Sequence, residues 1–389
     1  MRILERLLPV RLTDERHSVT TMELFFDLVY VFAFTQVTAW IAHEHSVLGT
    51  AQGLLILAVM WWTWVAYAWI GNVMKADQGA PLLGFIVSMI AAFVIALSIR
   101  HVWEAGPGEL APLAFVTAYL VIRVVHALVY AWGARGNAML LRQVLISAAF
   151  WVPSAALLFV GAFAEPEARL WWWAATLALD LLGTWILAVK LGGWILPAPL
   201  HFAERFGLIV ILALGESVVA VGVAAEKIEL DGMLIATAIL GVTAAVSFWW
   251  VYFKDVGAAL EHRLLASDDA GKLDLARDAY TYLHLPLVAG IIVAAAGVEE
   301  AVFALADDEV AGVAAILIAT GAAIVCFTGA ALLALVRGAW QWLAVAGAFF
   351  VAGAIWMPSW NPLVALAVTT VALATVGALT PNPRGDAHE

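Results

Sequence analysis

Residues 22–42 read MELFFDLVYVFAFTQVTAWIA, an apolar run in which only Glu23 and Asp27 carry a charge. Similar runs recur along the chain, and a bilayer core about 30 Å thick needs about 20 apolar residues per helix. The whole sequence is 64% hydrophobic and 13% charged, whereas about 25% of the residues are charged in an ordinary soluble domain. The pattern therefore predicts an all-α, polytopic membrane helical bundle.

The apolar runs predict about twelve transmembrane helices, separated by short turns that contain Gly, Pro or charged residues. The predicted spans are 22–42, 51–70, 82–99, 112–131, 143–163, 171–189, 202–223, 233–253, 279–297, 311–336, 340–357 and 363–380.

Lys and Arg are unevenly distributed between alternate loops. With a cytoplasmic N-terminus, fifteen lie in cytoplasmic segments and three in the opposite loops, while Arg123 lies inside a span. Because positive residues are enriched in cytoplasmic loops, we expect both termini in the cytoplasm and the chain in the inner (plasma) membrane. The first 21 residues lack the apolar run of a cleavable signal peptide, and they predict a short interfacial helix.

Two repeated patterns indicate a tandem of two six-helix halves. Spans one and seven open with an acidic residue followed two positions later by Phe, at Glu23 and Glu204, and spans two and eight carry aromatic clusters at 61–67 and 248–252. An even number of spans per half makes the repeats parallel, as in some transporters. The predicted parts are an N-terminal segment 1–21, repeats 22–190 and 202–380 joined by the loop 190–201, and a cytoplasmic tail 381–389.

The first group of ionisable residues inside a span is Glu23 with Asp27, one helical turn apart. Their stripe continues at helical spacing through Tyr30 to Thr38. A charge in a span costs about 2.5–3.5 kcal/mol on insertion scales, so both carboxylates are candidates for binding or relaying protons or cations. Glu23 has an alternative explanation, because Thr20-x-x-Glu23 matches a helix capping box.

The second group is Arg123 with His126 in span four, on one helix face with Tyr119 and Tyr130. Arg123 lies near mid-span and needs a carboxylate partner, for which Asp180 in span six is the candidate. These residues could serve a proton- or anion-coupled path. A purely structural buried ion pair is the alternative, because such pairs often fix an architecture.

The third group, in span seven, contains His201, Glu204, Arg205 and Glu216. The last three are predicted site residues, with Glu216 as the deeper carboxylate. For Glu204 and Arg205, interfacial placement at a helix end is the alternative. Glycines at 207, 215 and 222 predict close approach of a neighbouring backbone. Gly321 and Gly329 in span ten suit helix packing within or between protomers, so the oligomeric state stays open.

Several protein classes do not fit this sequence. A net charge of −11 argues against nucleic acid as a partner, since nucleic acids select basic stripes. With one cysteine, Cys326, no disulfide or Cys-based metal site can form within the chain. No nucleotide-binding, nucleophile-elbow or zinc-protease motif is present. The sequence therefore favours a non-enzyme and predicts no cofactor and no metal site, with the lipid bilayer as its surroundings.

Two motifs carry a family resemblance. They are TMELFFDLVYVFAFTQV at residues 21–37 and HFAERFGLIVILALGES at residues 201–217. Together with the tryptophan-rich second span, they make nearly the whole chain similar to the bacterial low temperature requirement A family. The resemblance implies a multi-pass membrane protein. The family is named after a growth phenotype in the cold, so the resemblance implies neither a substrate nor catalytic residues.

A fainter resemblance concerns ion channels. Phe25-Phe26-Asp27 is similar to the Phe-Ser-Asp signature of lysosomal-type potassium channels, which also contain two six-helix repeats. Phe26 replaces the serine, and residues 206–208 lack the acid. Three functions follow as hypotheses. The first is a transporter of a small solute or ion, with protons as a candidate coupling ion. The second is a cation channel, and the third is a non-transporting helper in lipid or envelope homeostasis.

Overall fold

The computed structural model describes residues 10–15, 17–135, 138–187, 189, 195–305, 311–336 and 338–379. Within these residues the chain forms twelve long helical segments and no β-strand. Their bounds are α1 Thr21–Glu44, α2 Val47–Val73, α3 Gly79–Ser98, α4 Leu110–Gly133, α5 Ala138–Ala162, α6 Pro166–Ile186, α7 Pro199–Ala225, α8 Gly232–Ala266, α9 Asp269–Phe303, α10 Ala311–Leu335, α11 Gln341–Trp356 and α12 Pro362–Leu379.

Each predicted span corresponds to one helix, so the polytopic helical bundle is confirmed. Among the described residues, eleven helices are long and apolar enough to cross a membrane. The remaining helix, α6, carries Glu167, Arg169 and Asp180 within its 21 residues. Helices α8 and α9 are each 35 residues long, because both continue past the predicted apolar spans into charged sequence.

Some sequence predictions lie wholly or partly outside the described residues. The residues that predict the interfacial helix lie mostly within 1–9, the inter-repeat loop includes residues 190–194, and the tail occupies residues 381–389. The division into two homologous repeats stays a prediction.

The described chain packs as two compact units. The first comprises Met1–Gln36 and Leu54–Arg205. In this unit α3 packs on α4, α4 on α5, and α5 on α6. Its buried interior is rich in aromatic side chains, because the tryptophan-rich cluster of α2 faces inward: Trp61 and Trp64 are both 1% exposed.

The second unit comprises Val37–Gly53 and Phe206–Glu389. Here α9 packs on α10, α10 on α11, and α12 against α8. Gly321 lies against the α9 backbone, since a Cβ at this position would overlap the backbone nitrogen of Ala294. The small residues of α10 therefore serve helix packing within the chain at this position.

The expectation for the glycines of α7 is wrong. A Cβ at Gly215 or Gly222 would meet no described atom within 4 Å, and at Gly207 the nearest described atom is on Phe253 at 3.6 Å. Within the described part of the chain, no neighbouring backbone approaches these positions closely. Glycine in a transmembrane helix permits close packing without requiring it, so the residue type alone could not decide the point.

Each long helix of the second unit contains a π-helical stretch, Val251–Val256 in α8 and Ala276–Leu283 in α9. Such stretches are often found near functional sites. Here they lie beside His284, which is buried and satisfied: its Nε2 lies 2.8 Å from the hydroxyl of Tyr252, and its Nδ1 lies 2.8 Å from the carbonyl of Ala279. His284 is therefore a packing histidine.

Candidate functional site

The first part of the site is a capping box at the start of α1. Oε2 of Glu23 accepts hydrogen bonds from the backbone nitrogen and the hydroxyl of Thr20, both at 2.9 Å, and the Thr20 hydroxyl accepts one from the Glu23 nitrogen at 3.3 Å. These bonds satisfy donors that a helix start leaves unpaired. The predicted capping role is confirmed, and it uses only one of the two carboxylate oxygens.

Arg205 bridges the two acidic residues of α1 inside the first unit. Its Nη1 donates to Oε1 of Glu23 at 2.8 Å, and its Nη2 donates to Oδ1 of Asp27 at 2.7 Å. Nε1 of Trp64 donates to the same Asp27 oxygen at 2.8 Å, and the Arg205 guanidinium lies 5.5 Å from the Trp64 ring centre. All three charged residues are at most 1% exposed. Nε2 of His201 also contacts Glu23, and we call Glu23, Asp27, His201 and Arg205 the ionic cluster.

His201 is oriented by a buried amide. Nδ2 of Asn72 donates to the carbonyl of Ala198 at 2.5 Å and lies 3.4 Å from Nδ1 of His201. Because an amide nitrogen carries only donors, Nδ1 of His201 is the acceptor and its Nε2 holds the hydrogen. Nε2 then donates to Oε1 of Glu23 at 3.0 Å.

The ionic cluster has unequal charges. Two carboxylates and one guanidinium leave one excess negative charge when His201 is neutral. Glu23 accepts hydrogen bonds on both oxygens, whereas Asp27 accepts both of its bonds on Oδ1. Oδ2 of Asp27 and Nε of Arg205 are buried without a hydrogen-bond partner among the described residues. A proton on Oδ2 of Asp27 would remove the excess charge without breaking any of these bonds.

A metal ion is a second way to balance the charge. His17, Glu23 and His201 each offer a donor atom, and these atoms lie within 4.8 Å of one another. The His17 ring lies against that of His201, 4.7 Å between centres, and burial, followed by the nearby His201, lowers the pKa of His17 below its usual range. However, Nε2 of His201 carries the hydrogen that bonds Glu23. Metal binding would require the other tautomer, which Asn72 opposes.

A second ion pair joins α4 and α6 in the same unit. Nη2 of Arg123 lies 3.5 Å from Oδ1 of Asp180, and the hydroxyl of Tyr119 donates to Oδ2 of Asp180 at 2.6 Å. The predicted pairing of Arg123 with Asp180 is confirmed. The His126 ring packs near those of Tyr67 and Tyr130, with centres 5.8 and 6.0 Å apart.

The remaining predicted residues lie outside the ionic cluster. Glu204 is exposed although it adjoins Arg205, because consecutive helical residues point in different directions. The structure therefore does not place Glu204 with the other site residues. Glu216 is 1% exposed and belongs to the second unit. Its role as a relay stays a prediction.

Three contacts of the ionic cluster were not predicted from the sequence: the imidazole of His201 on Glu23, the amide of Asn72 on His201 and the indole of Trp64 on Asp27. His201 lies four residues before Arg205, and this spacing places the two on one helix face. The spacing could have identified His201. Asn72 and Trp64 are brought to the cluster by tertiary packing, for which the sequence carries no local signal.

Gly71 on α2 lets the Glu23 carboxylate lie against the helix backbone. A Cβ there would overlap Oε1 of Glu23 and come within 3.7 Å of Nη1 of Arg205. Gly71→Ala is therefore expected to displace the carboxylate and to lower the free energy of unfolding by about 1–3 kcal/mol. A thermal unfolding midpoint in detergent measures the effect.

Gly222→Ala is the matched control, because its Cβ would meet none of the described atoms within 4 Å. An interior helical Gly→Ala change without a clash is expected to stabilise by about 0.5–1 kcal/mol. Equal unfolding temperatures for the two variants would contradict the close approach at Gly71.

The fold and the ionic cluster define the class of the chain: a multi-pass α-helical membrane protein with a buried charged site between its first and seventh helices. A family model described as bacterial low temperature requirement A protein matches residues 18–378. The chain belongs to this family.

The chain is similar to an uncharacterized protein of Rhizobium meliloti (strain 1021), with 29% identity over 290 residues that cover 71% of this chain and 67% of that protein. No solved structure matches the chain.

Proposed function

We propose that this chain is a proton-coupled transporter of a small solute or ion, and that Asp27 binds the coupling proton. One observation carries the proposal: Oδ2 of Asp27 is buried without a hydrogen-bond partner among the described residues, in a cluster that has one excess negative charge when His201 is neutral. Ionisable groups inside a membrane are costly and commonly mark proton relays or ion paths. Asp27 fits that role better than Glu23, whose two oxygens are both occupied.

The shared guanidinium supplies a coupling mechanism. Arg205 donates one nitrogen to Glu23 and the other to Asp27. When Asp27 takes up a proton, its attraction to Arg205 falls, and the interaction of Arg205 with Glu23 becomes dominant. Proton release reverses this preference. Proton occupancy would therefore bias the position of Arg205 at the start of α7, which is the kind of local electrostatic change that drives larger switches.

The other predicted residues take supporting roles in the proposal. Glu23 stays ionised and binds Arg205. Arg123 and His126 form a second polar site, in which Asp180 balances the charge of Arg123. Glu216 is the proposed carboxylate relay of the second unit. We further propose that the chain lies in the inner (plasma) membrane with both termini in the cytoplasm, on the basis of its Lys and Arg distribution.

Purified protein in liposomes tests the proposal. An imposed pH gradient, with valinomycin and potassium to release the electrical potential, should drive proton movement that a pH-sensitive dye in the lumen reports. The rate should exceed that of protein-free liposomes and should depend on the added solute.

The two other hypotheses predict different results in the same liposomes. A cation channel would give passive conductance that needs no proton gradient, and a non-transporting helper would give no flux of any ion. Either result would contradict the proposed transport.

A further inference from the structure

A groove runs along the surface of the first unit between α3 and α4. It has an apolar part of about 350 Å³, which includes Ile90, Ala91 and Ala118, and a polar part of about 550 Å³, which includes His101, Glu104 and Glu109. Val94 and Ala114 line both parts, so the groove is continuous. Alanines form part of its lining, and their small side chains leave room for an occupant.

The apolar lining on α3 spans about the depth of one leaflet. It runs from Val87 in the apolar part to Leu97 in the polar part, a rise of about 15 Å at about 1.5 Å per residue. Half of a hydrocarbon core of about 30 Å is about 15 Å. Polar lining begins one residue later at Ser98, where the helix would reach the headgroup region. An acyl chain could therefore lie in the apolar part of the groove with its headgroup at the polar part, which we call the mouth of the groove.

The charges at the mouth are acidic. Glu104 and Glu109 are exposed, and the described lining contains neither Lys nor Arg. Arg100 is exposed next to His101, outside the lining. The carboxylates would attract an ammonium group and repel a headgroup with net negative charge. A lipid with a primary amine would thus be preferred over an anionic one.

The buried guanidinium of Arg169 holds the backbone at the mouth of the groove. Nη1 of Arg169 donates to the carbonyls of Val102 and Ala105, the second at 3.0 Å, and Nη2 donates to that of Gly106 at 3.3 Å. Its two remaining donors bond the carbonyls of residues 161 and 164 at 3.2 and 3.0 Å. All five donors are used on backbone oxygens. Arg169 therefore fixes the loop and has no donor left for a lipid phosphate.

We infer that this groove binds a phospholipid with a primary-amine headgroup, with one acyl chain between α3 and α4 and the ammonium group near Glu104 and Glu109. The lipid belongs to the leaflet on whose side residues 98–110 lie. This site requires neither proton transport nor Asp27.

Photo-crosslinking tests the inference on the full chain in lipid nanodiscs. The probes are phosphatidylethanolamine and phosphatidylglycerol, each with a diazirine in one acyl chain and with matched chains. Mass spectrometry of the digested protein measures labelling of α3 and α4. The ethanolamine lipid should label these helices more than the glycerol lipid, by about fivefold for each carboxylate, as a charge near a membrane surface contributes about 1 kcal/mol.

The double variant E104Q/E109Q should label equally with both probes, while Glu167→Gln, which removes an exposed acid outside the lining, should keep the preference. Ala114→Phe should fill the groove and reduce labelling by both probes. Equal labelling of the wild-type chain by the two lipids, or a preference for the glycerol lipid, would overturn the inference. Flux measurements on the same variants distinguish this outcome from a failure of the transport proposal.

Discussion

Proton flux is expected to fall to the level of protein-free liposomes when Asp27 is replaced by asparagine. The asparagine carbonyl can still accept the hydrogen bonds that Trp64 and Arg205 donate to Oδ1 of Asp27. The amide nitrogen takes the position of Oδ2 and cannot bind or release a proton near neutral pH. The fold is therefore retained and the exchangeable proton is lost. The measurement is pH-driven dye response in reconstituted liposomes.

Glu204→Gln is the control for this experiment. It also removes one carboxylate, next to Arg205 in the sequence, but Glu204 is exposed and lies outside the ionic cluster. Its flux should equal that of the wild type. Survival of wild-type flux in Asp27→Asn would show that another group carries the proton.

Arg205→Ala is expected to cause the largest loss of stability among single changes in the site. It leaves the buried carboxylates of Glu23 and Asp27 without their shared cation, and removal of one partner from a buried ion pair costs about 3–5 kcal/mol. Arg205→Lys should lose less stability, because it keeps the charge but cannot bridge two carboxylates with a planar fork. Thermal unfolding in detergent measures both variants.

A double variant separates the charge effect from the loss of packing. Asp27→Asn removes one of the two carboxylates that Arg205→Ala leaves uncompensated, so the combination should be less destabilised than the sum of the single changes. Glu204→Ala, next in sequence and exposed, should change the free energy of unfolding by less than about 0.5 kcal/mol. Additive losses would show that Arg205 does not balance these carboxylates.

The fold could be predicted from the sequence because every span lies in the same apolar solvent, the lipid. In lipid, each helix must satisfy its backbone hydrogen bonds internally and present apolar side chains, so uninterrupted apolar runs identify the helices directly. Three helices depart from this rule. Helices α8 and α9 extend into charged sequence, where hydropathy no longer marks their ends, and α6 accommodates Asp180 because Arg123 and Tyr119 bind its carboxylate.

The site could be predicted only in part. Buried charges within spans identified Glu23, Asp27, Arg123 and Asp180 as residues that need partners, since an unpaired charge in lipid is costly. Asp180 is the predicted partner of Arg123 because both lie near the middle of their spans. Arg205 is predicted as a member of a separate group in span seven, and nothing local in the sequence shows that it bridges the carboxylates of α1.

Glu204 shows the limit of reasoning from neighbouring positions. It matches Glu23 in the repeated pattern at the starts of the first and seventh spans, and on that pattern it was expected in the site. The structure brings Arg205 inward instead, and rotation of about 100° per residue turns Glu204 outward. The acidic residue of the first pattern is thus paired with the basic residue of the second.

Infrared difference spectroscopy of the purified protein tests most directly whether Asp27 carries an exchangeable proton. We expect a carbonyl stretching band of a protonated carboxyl group that disappears as the pH is raised and is missing from Asp27→Asn at every pH. Wild-type protonated-carboxyl bands that are all retained unchanged in Asp27→Asn would contradict the assignment of the proton to Asp27.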